Sequence, residues 1–147
     1  MPGRGSIIDE SYGSDFYLFS YETFITPTNF YTLDLTSFDI HPFFTNSDLL
    51  KKANYNPDSF DVSFQTCLSD DGTYIPMTLI SAKGSLEGPR LTHLYSYGGF
   101  GKSQMPKFNM KNQFFFEKLK GIYAIAHVRG GSEYGEEWYR AAIKEKK

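Results

Sequence analysis

The sequence has a single cysteine, no long apolar run and no cluster of metal-ligating residues. Cys67 is the only cysteine, so no disulfide forms within the chain. The most apolar segment, Ile122–Val128, contains a histidine and falls far short of the roughly 20 residues that a transmembrane helix needs. The opening MPGRGSIIDE has no apolar stretch of the kind found in secretory signals. These absences predict a cytosolic protein with no membrane association, no metal and no cofactor.

The remaining composition is that of a globular protein. Of the 147 residues, 40% are hydrophobic, 22% are charged and 18% are aromatic, and the high aromatic content favours strand-rich packing. The length suits about one domain. Charge is uneven, since residues 1–48 carry one Arg against seven acidic residues and residues 101–147 carry ten basic residues against five acidic ones. The basic residues form no dense cluster or known motif, so nucleic acid is not an expected partner.

The first third of the chain reads as two strands followed by a connection. Aromatic and β-branched residues fill segments 15–23 and 29–35, and a Thr-Pro-Thr turn separates them. The Gly- and Ser-rich residues 1–14 predict a frayed terminus. Residues 39–57 predict a connecting stretch with one short helix, capped by Asn46 or Ser47 and running to Lys52.

The middle of the chain predicts a β-hairpin. Apolar and polar residues alternate in segments 61–68 and 75–79, and the turn residues Asp70, Asp71 and Gly72 lie between them. Pro76 cannot donate a hydrogen bond to a neighbouring strand, so its strand is expected either to have an unpaired stretch or to lie near an edge. The alternation of the first strand predicts one buried face, made of Val62, Phe64, Thr66 and Leu68.

The last third predicts an α/β pattern. Segment 91–97 reads as a strand that ends at two glycines, and segment 110–120 as a helix with Asn109 as N-cap and Gly121 after its end. The apolar run 122–128 reads as a strand buried on both faces. Glu136 and Glu137 then suit the first turn of a last helix that runs towards Lys144, Lys146 and Lys147.

Two segments come close to catalytic or binding motifs without completing them. SYGGFGKS (96–103) lacks the first glycine of a phosphate-binding loop, and Pro106 follows it where a helix should begin. Nucleotide binding through this segment stays open as an alternative. Around Ser132 the second glycine of a nucleophile elbow is replaced by Tyr134. His93 and His127 are expected in the core, since neither has a Ser and Asp arrangement beside it.

Four segments together resemble the prolyl oligopeptidase family of serine peptidases. Residues 15–35 resemble the last blade of that family's β-propeller, and DGTYIPMTLISAKG (71–84) resembles the hairpin that opens its peptidase domain. LYSYGGF (94–100) is similar to the family's Y-G-Y-G-G-F segment, and AHVRGGSEYGEEW (126–138) to its A-N-x-R-G-G-G/S-E-Y-G segment. The resemblance implies the last strands of a β-propeller (1–57) followed by the truncated start of an α/β-hydrolase sheet (58–147).

The resemblance also implies roles for individual residues. Tyr97 matches the tyrosine whose hydroxyl donates to the oxyanion, and Phe100 matches the phenylalanine that lines the proline pocket. The implied substrates are proline-containing oligopeptides, cleaved on the carboxyl side of proline by a monomeric enzyme. The glycines of the two motifs are expected to form structural turns: Gly98, Gly99, Gly130 and Gly131.

The catalytic triad of the family is missing from these 147 residues. The G-G-S-N-G-G nucleophile segment does not occur, and no Ser, Asp or His here matches a triad position. We therefore expect a fragment that is inactive alone. A non-enzymatic interaction protein that pairs through exposed strand edges stays open as a second alternative.

Overall fold

The computed structural model describes residues 2–9, 13 and 15–144. Contacts between residues divide the chain into two compact units. The first contains the segment up to Pro57 together with Pro106–Met110, and the second contains Asp58–Met105 and the chain from Lys111 onward. Each unit contains one four-stranded sheet.

The sheet of the first unit is an antiparallel meander. Its strands β1 (Arg4–Asp9), β2 (Phe16–Glu22), β3 (Asn29–Asp34) and β4 (Ile40–Phe44) lie in chain order, each hydrogen-bonded to the next. Aromatic pairs cross the strands, as in the stacking of Phe19 on Tyr31. The blades of β-propellers are four-stranded antiparallel sheets, and the sheet-rich unit is consistent with a portion of one.

The predicted strands in segments 15–23 and 29–35 are confirmed, but the sequence did not predict two further strands, β1 and β4. β1 occupies part of the expected frayed terminus, of which residues 10–12 and 14 lie outside the described residues. Its sequence RGSIID combines two isoleucines, which favour strands, with a glycine and an aspartate, which do not, and its pairing with β2 completes the strand. β4 contains Pro42, which is tolerated because β4 is the edge strand of its sheet.

The short helix is where the sequence predicts it, but no side-chain cap stabilises its first turn. α1 spans Ser47–Lys52 and buries Leu50. The Asn46 side chain makes no capping bond to the helix. It donates instead to the carbonyl of Thr28 at 2.6 Å, while the backbone N–H of Asn46 donates to Asn29 Oδ1 at 2.8 Å. These bonds tie the start of α1 to the start of β3.

The second unit contains a mixed sheet with the order β5-β6-β8-β7. The predicted hairpin is confirmed as β5 (Phe60–Leu68) and β6 (Tyr74–Ala82), which pair antiparallel. β7 (Thr92–Ser96) and β8 (Ile122–Ala126) pair parallel, and α2 (Asn112–Glu117) connects them. β8 lies between β6 and β7, and its consecutive residues Ala124, Ile125 and Ala126, which point to alternate faces of the sheet, are all buried, in keeping with its continuously apolar sequence.

The predicted buried face of β5 is wrong. Phe64 and Leu68 are 58% and 63% exposed, and only Phe60 at the start of the strand is buried. α2 provides the reason, since its Phe116 is buried and packs on Phe60 with ring centroids 5.6 Å apart. Alternation in a sequence shows that a strand has two unlike faces, but it does not show how far along the strand a covering element extends.

The predicted helix at 110–120 is shorter and begins later. α2 starts after Lys111, so Asn109 is not its N-cap. The left-handed residue after its end is Lys120, with φ 49°, and not Gly121. Gly121 instead donates its N–H to the carbonyl of Phe115, and a Cβ at position 121 would meet the Phe115 ring. The small residue is therefore required by a close approach and not by a left-handed turn.

The structure differs from the sequence predictions for His93 and for the length of the last helix. His93 is not in the core, because β7 is an edge strand whose residues are all exposed, and its ring packs on Tyr123 at 5.1 Å. The last helix begins at Glu136 as predicted but ends at Arg140. Lys146 and Lys147 lie outside the described residues.

Candidate active site

Two loops leave the same edge of the mixed sheet. The first loop (residues 97–105) follows β7, and the second loop (residues 127–135) follows β8. Since β7 and β8 are parallel, their carboxyl ends lie side by side. In open α/β sheets, ligands bind in the crevice outside the carboxyl ends of the strands. The two loops therefore form the candidate site.

Glycines bring the two loops together. The N–H of Gly101 donates to the carbonyl of Gly130 at 3.0 Å. Gly98 has φ 57°, and a Cβ there would meet the side chain of Val128. Gly130 has φ 99°, and a Cβ there would meet the carbonyl oxygen of Gly98. At Gly98 and Gly130, both the backbone conformation and the close approach exclude a side chain.

Tyr97 and Phe100 lie on the first loop beside these glycines. Tyr97 follows the last residue of β7 and is 45% exposed. Phe100 has φ 54°, a strained value for a residue with a side chain, and its ring is 92% exposed. Gly98 and Gly99, between the two aromatic residues, are both buried. The loop thus exposes two aromatic side chains, while the two glycines between them are buried.

The two incomplete motifs do not acquire their missing context in the structure. Residues 101–111 contain no helix, so the segment ending at Ser103 leads into no helix N-terminus that faces a phosphate. Ser132 is exposed in a turn closed by the bond from Gly135 N–H to its carbonyl, and the last helix, α3 (Glu136–Arg140), begins four residues later. Neither arrangement matches the geometry that its motif needs.

A buried polar cluster underlies the site. His127 Nε2 is 2.8 Å from Thr78 Oγ1, and His127 Nδ1 is 3.7 Å from Glu133 Oε1. Glu133 Oε1 accepts the backbone N–H of Gln104 at 2.9 Å, which ties the second loop to the first. Gly131 leaves room for this carboxylate, since a Cβ there would meet Glu133 Oε2. The expectation of a core position is confirmed for His127.

The sequence did not identify Glu133 as a residue that connects the loops. Its side chain is only 9% exposed, and within the described residues its Oε2 and His127 Nδ1 have no hydrogen-bond partner. Burial, with a smaller contribution from Glu133, raises the pKa of Tyr134. The only sequence signal for this contact was the segment RGGSEYGEEW (129–138), which is rich in glycine and glutamate. It does not show which backbone N–H the Glu133 carboxylate reaches.

A second electrostatic contact fixes the second loop to the β5–β6 hairpin. Arg129 Nη2 lies 2.6 Å from Asp71 Oδ2, in the turn of the hairpin. Hydrogen bonds from the backbone and side chain of Thr73, and then from Arg129, lower the pKa of Asp71 to about 2. The turn residue predicted from sequence thus also anchors the loop beside the site.

Within residues 2–9, 13 and 15–144, no group of three or more His, Cys, Asp or Glu side chains is placed to hold a metal ion. No helix in this part of the chain is both long enough and apolar enough to cross a bilayer.

Comparison with known proteins gives consistent relatives. The model of the prolyl oligopeptidase family matches residues 106–147. The prolyl endopeptidase of Elizabethkingia meningoseptica is 35% identical over an alignment that covers all of this chain and 20% of that enzyme. The prolyl endopeptidase of Elizabethkingia miricola is also 35% identical, over 88% of this chain and 18% of the enzyme.

Solved structures of prolyl oligopeptidases are also similar to this chain. A mutant of prolyl oligopeptidase B from Galerina marginata, bound to a 25mer macrocyclization substrate, superposes with a TM-score of 0.83 at 26% identity. The match covers 98% of this chain and 20% of that protein. The chain therefore spans about a fifth of the length of the relatives it matches.

Proposed function

The chain belongs to the prolyl oligopeptidase family, and from this we propose that it is a segment of a serine peptidase that cleaves short peptides on the carboxyl side of proline. In this proposal the segment supplies one oxyanion donor, Tyr97, and one wall of the proline pocket, Phe100. The observation that carries it is the placement of both side chains on one loop at the carboxyl end of β7.

The same proposal assigns the chain to parts of two domains, whose ranges differ from the two compact units only at Pro106–Met110. Residues 1–57 are the closing strands of a β-propeller, and residues 58–147 are the start of an α/β-hydrolase domain. The four-stranded antiparallel meander supports the first assignment. An antiparallel hairpin followed by a parallel pair with an intervening helix supports the second.

The position of Tyr97 suits transition-state stabilisation. When a serine attacks a peptide carbonyl, negative charge develops on the carbonyl oxygen, and a fixed hydrogen-bond donor stabilises it. In α/β-hydrolases one donor comes from the loop between the third strand and the following helix. β7 is the third strand of the second unit, and the loop after it precedes α2. The Tyr97 hydroxyl takes the role of this donor.

Phe100 suits recognition of the proline ring. Its ring is almost fully exposed at the tip of a turn whose backbone is held by Gly99 and Gly130. A flat aromatic face buries the apolar pyrrolidine ring with little loss of side-chain freedom. The backbone bonds of the turn fix Phe100 on the same loop as Tyr97, so binding and catalysis share one loop.

The nucleophile, the general base and its acidic partner come from outside these residues in the proposal. The G-G-S-N-G-G segment is absent from the sequence, and His127 is engaged by Thr78 at Nε2. We accordingly propose that the chain alone is inactive, and that the whole enzyme acts as a monomer in the cytosol. The single cysteine is consistent with a reducing compartment.

Substitution of the proposed donor tests the function. In the full-length enzyme that contains this segment, we expect Tyr97→Phe to lower kcat about 100-fold or more, with little change in KM, because the lost hydrogen bond forms mainly in the transition state. The measurement is steady-state hydrolysis of a proline-containing peptide.

The matched control is Tyr95→Phe, which removes the same hydroxyl two residues earlier on β7. Its kcat should stay within about twofold of the wild type. Equal kinetics for Tyr97→Phe and the wild type would remove Tyr97 from the oxyanion hole. An enzyme that cleaves peptides without regard to proline would refute the proposed specificity.

A further inference from the structure

The backbone of Lys102 is fixed by a tight turn in the first loop. The N–H of Lys102 donates to the carbonyl of Gly99 at 3.0 Å. The two residues between them, Phe100 and Gly101, have φ values of 54° and 64°. Positive φ at both central positions is the pattern of a type I′ turn. The bond from Gly101 to Gly130 holds this turn on the second loop, so the side chain of Lys102 leaves from a defined point.

The ammonium group of Lys102 lies over the ring of Tyr97. Its Nζ is 5.9 Å from the ring centroid, within the range of a cation–π contact. The first loop contains no acidic residue. In the part of the chain that the structure describes, no carboxylate lies within 4.0 Å of this ammonium. The buried carboxylate of Glu133 is engaged by the N–H of Gln104.

The first loop thus carries an exposed positive charge, with no counter-ion among the described residues, beside two groups that contact substrate in the proposed function. We propose that Lys102 is a specificity-determining residue, through which the enzyme prefers peptides that carry a carboxylate next to the scissile prolyl bond. This inference rests on the proposed function, because the scissile carbonyl is placed by the role of Tyr97. Attraction between the ammonium and a substrate carboxylate is Coulombic, so it decreases as salt is added.

A purely structural role for Lys102 predicts different behaviour. If the side chain only packs on the Tyr97 ring, its loss lowers activity equally for acidic and neutral peptides, and added salt does not change their ratio. Lys102→Met keeps an unbranched side chain and removes the charge. Lys102→Arg keeps the charge and the contact with the ring.

The experiment compares two peptides that differ only in having Glu or Gln directly after the proline. In the full-length enzyme at low salt, we expect kcat/KM to favour the Glu peptide by up to about fivefold, the upper range for an exposed ion pair. Lys102→Met should bring the ratio to about one, and Lys102→Arg should retain the preference. Raising the ionic strength from about 0.01 M to about 1 M should abolish the preference in the wild type.

Lys83→Met is the matched control. Lys83 is exposed and directly follows β6, whose carboxyl end pairs with the start of β8, so it lies at the opposite edge of the sheet from the two loops. Its substitution should leave the ratio unchanged. Equal cleavage of the two peptides by the wild type, or an unchanged ratio in Lys102→Met, overturns the inference alone. Failure of the proposed function differs, since then neither peptide is cleaved or Tyr97→Phe has no effect.

Discussion

At the scale of single residues, Gly98 determines whether the two loops of the candidate site can meet. An alanine there would take a left-handed conformation, and its Cβ would lie 2.7 Å from the carbonyl oxygen of Arg129 and against the side chain of Val128. We expect Gly98→Ala to destabilise the enzyme by more than about 2 kcal/mol, since strain at a special φ adds to a collision with backbone. The midpoint of urea unfolding, together with kcat/KM, measures this effect.

Gly72→Ala separates strain from collision. Gly72 also has a positive φ, 83°, but no atom lies within 4 Å of the Cβ that alanine would add. Its substitution should show only the cost of the left-handed conformation, about 1–2 kcal/mol. If the two variants unfold at the same urea concentration, the contact at Gly98 contributes nothing.

At the scale of elements, one aromatic residue attaches α2 to the mixed sheet. Phe116 is 3% exposed and packs on Phe60, whereas Phe114 on the same helix is 63% exposed. We expect Phe116→Ala to destabilise the fold by about 3–5 kcal/mol, because it leaves a cavity beneath the helix. Thermal or urea unfolding measures this change.

Phe114→Ala is the control within the same helix. It removes an equal number of atoms from an exposed position, so its effect should stay within about 0.5 kcal/mol. If the two variants destabilise the fold equally, α2 does not cover the β5 end of the sheet through Phe116.

At the scale of the whole molecule, the described residues expose many large apolar side chains. Residues from several strands are exposed, with Phe43, Phe64 and Leu94 each about 60% exposed or more. β7 is an edge strand, and no other strand in the described part of the chain pairs with the outer side of its backbone. Exposed apolar side chains and strand edges are able to associate with other protein surfaces, and the chain spans only about a fifth of its relatives.

The isolated 147-residue chain should therefore be inactive and prone to self-association. We expect no hydrolysis of a proline-containing peptide above the buffer rate, because no nucleophile segment of the family is present. Sedimentation should reveal species larger than the 16.8 kDa monomer. Turnover that a serine-directed inhibitor abolishes in this chain would contradict the prediction.

Local sequence patterns determined many of the elements and the composition of the candidate site. The alternation in 61–68 and 75–79 predicted the hairpin, and the apolar run after Gly121 predicted the central strand. The glycine motifs predicted a turn in each of the two loops, but they did not predict that the loops contact each other. These features were predictable because turn conformation and strand periodicity depend on neighbouring residues.

Only the tertiary structure decided which surfaces are covered and which distant groups meet. β1 and β4 are strands because neighbouring strands complete their hydrogen bonds, although one contains glycine and the other proline. Phe60 is buried and Phe64 exposed because α2 covers one end of β5. The carboxylate of Glu133 reaches Gln104, 29 positions away, through the parallel pairing of β7 and β8. Such contacts depend on residues far apart in the chain, which local periodicity does not encode.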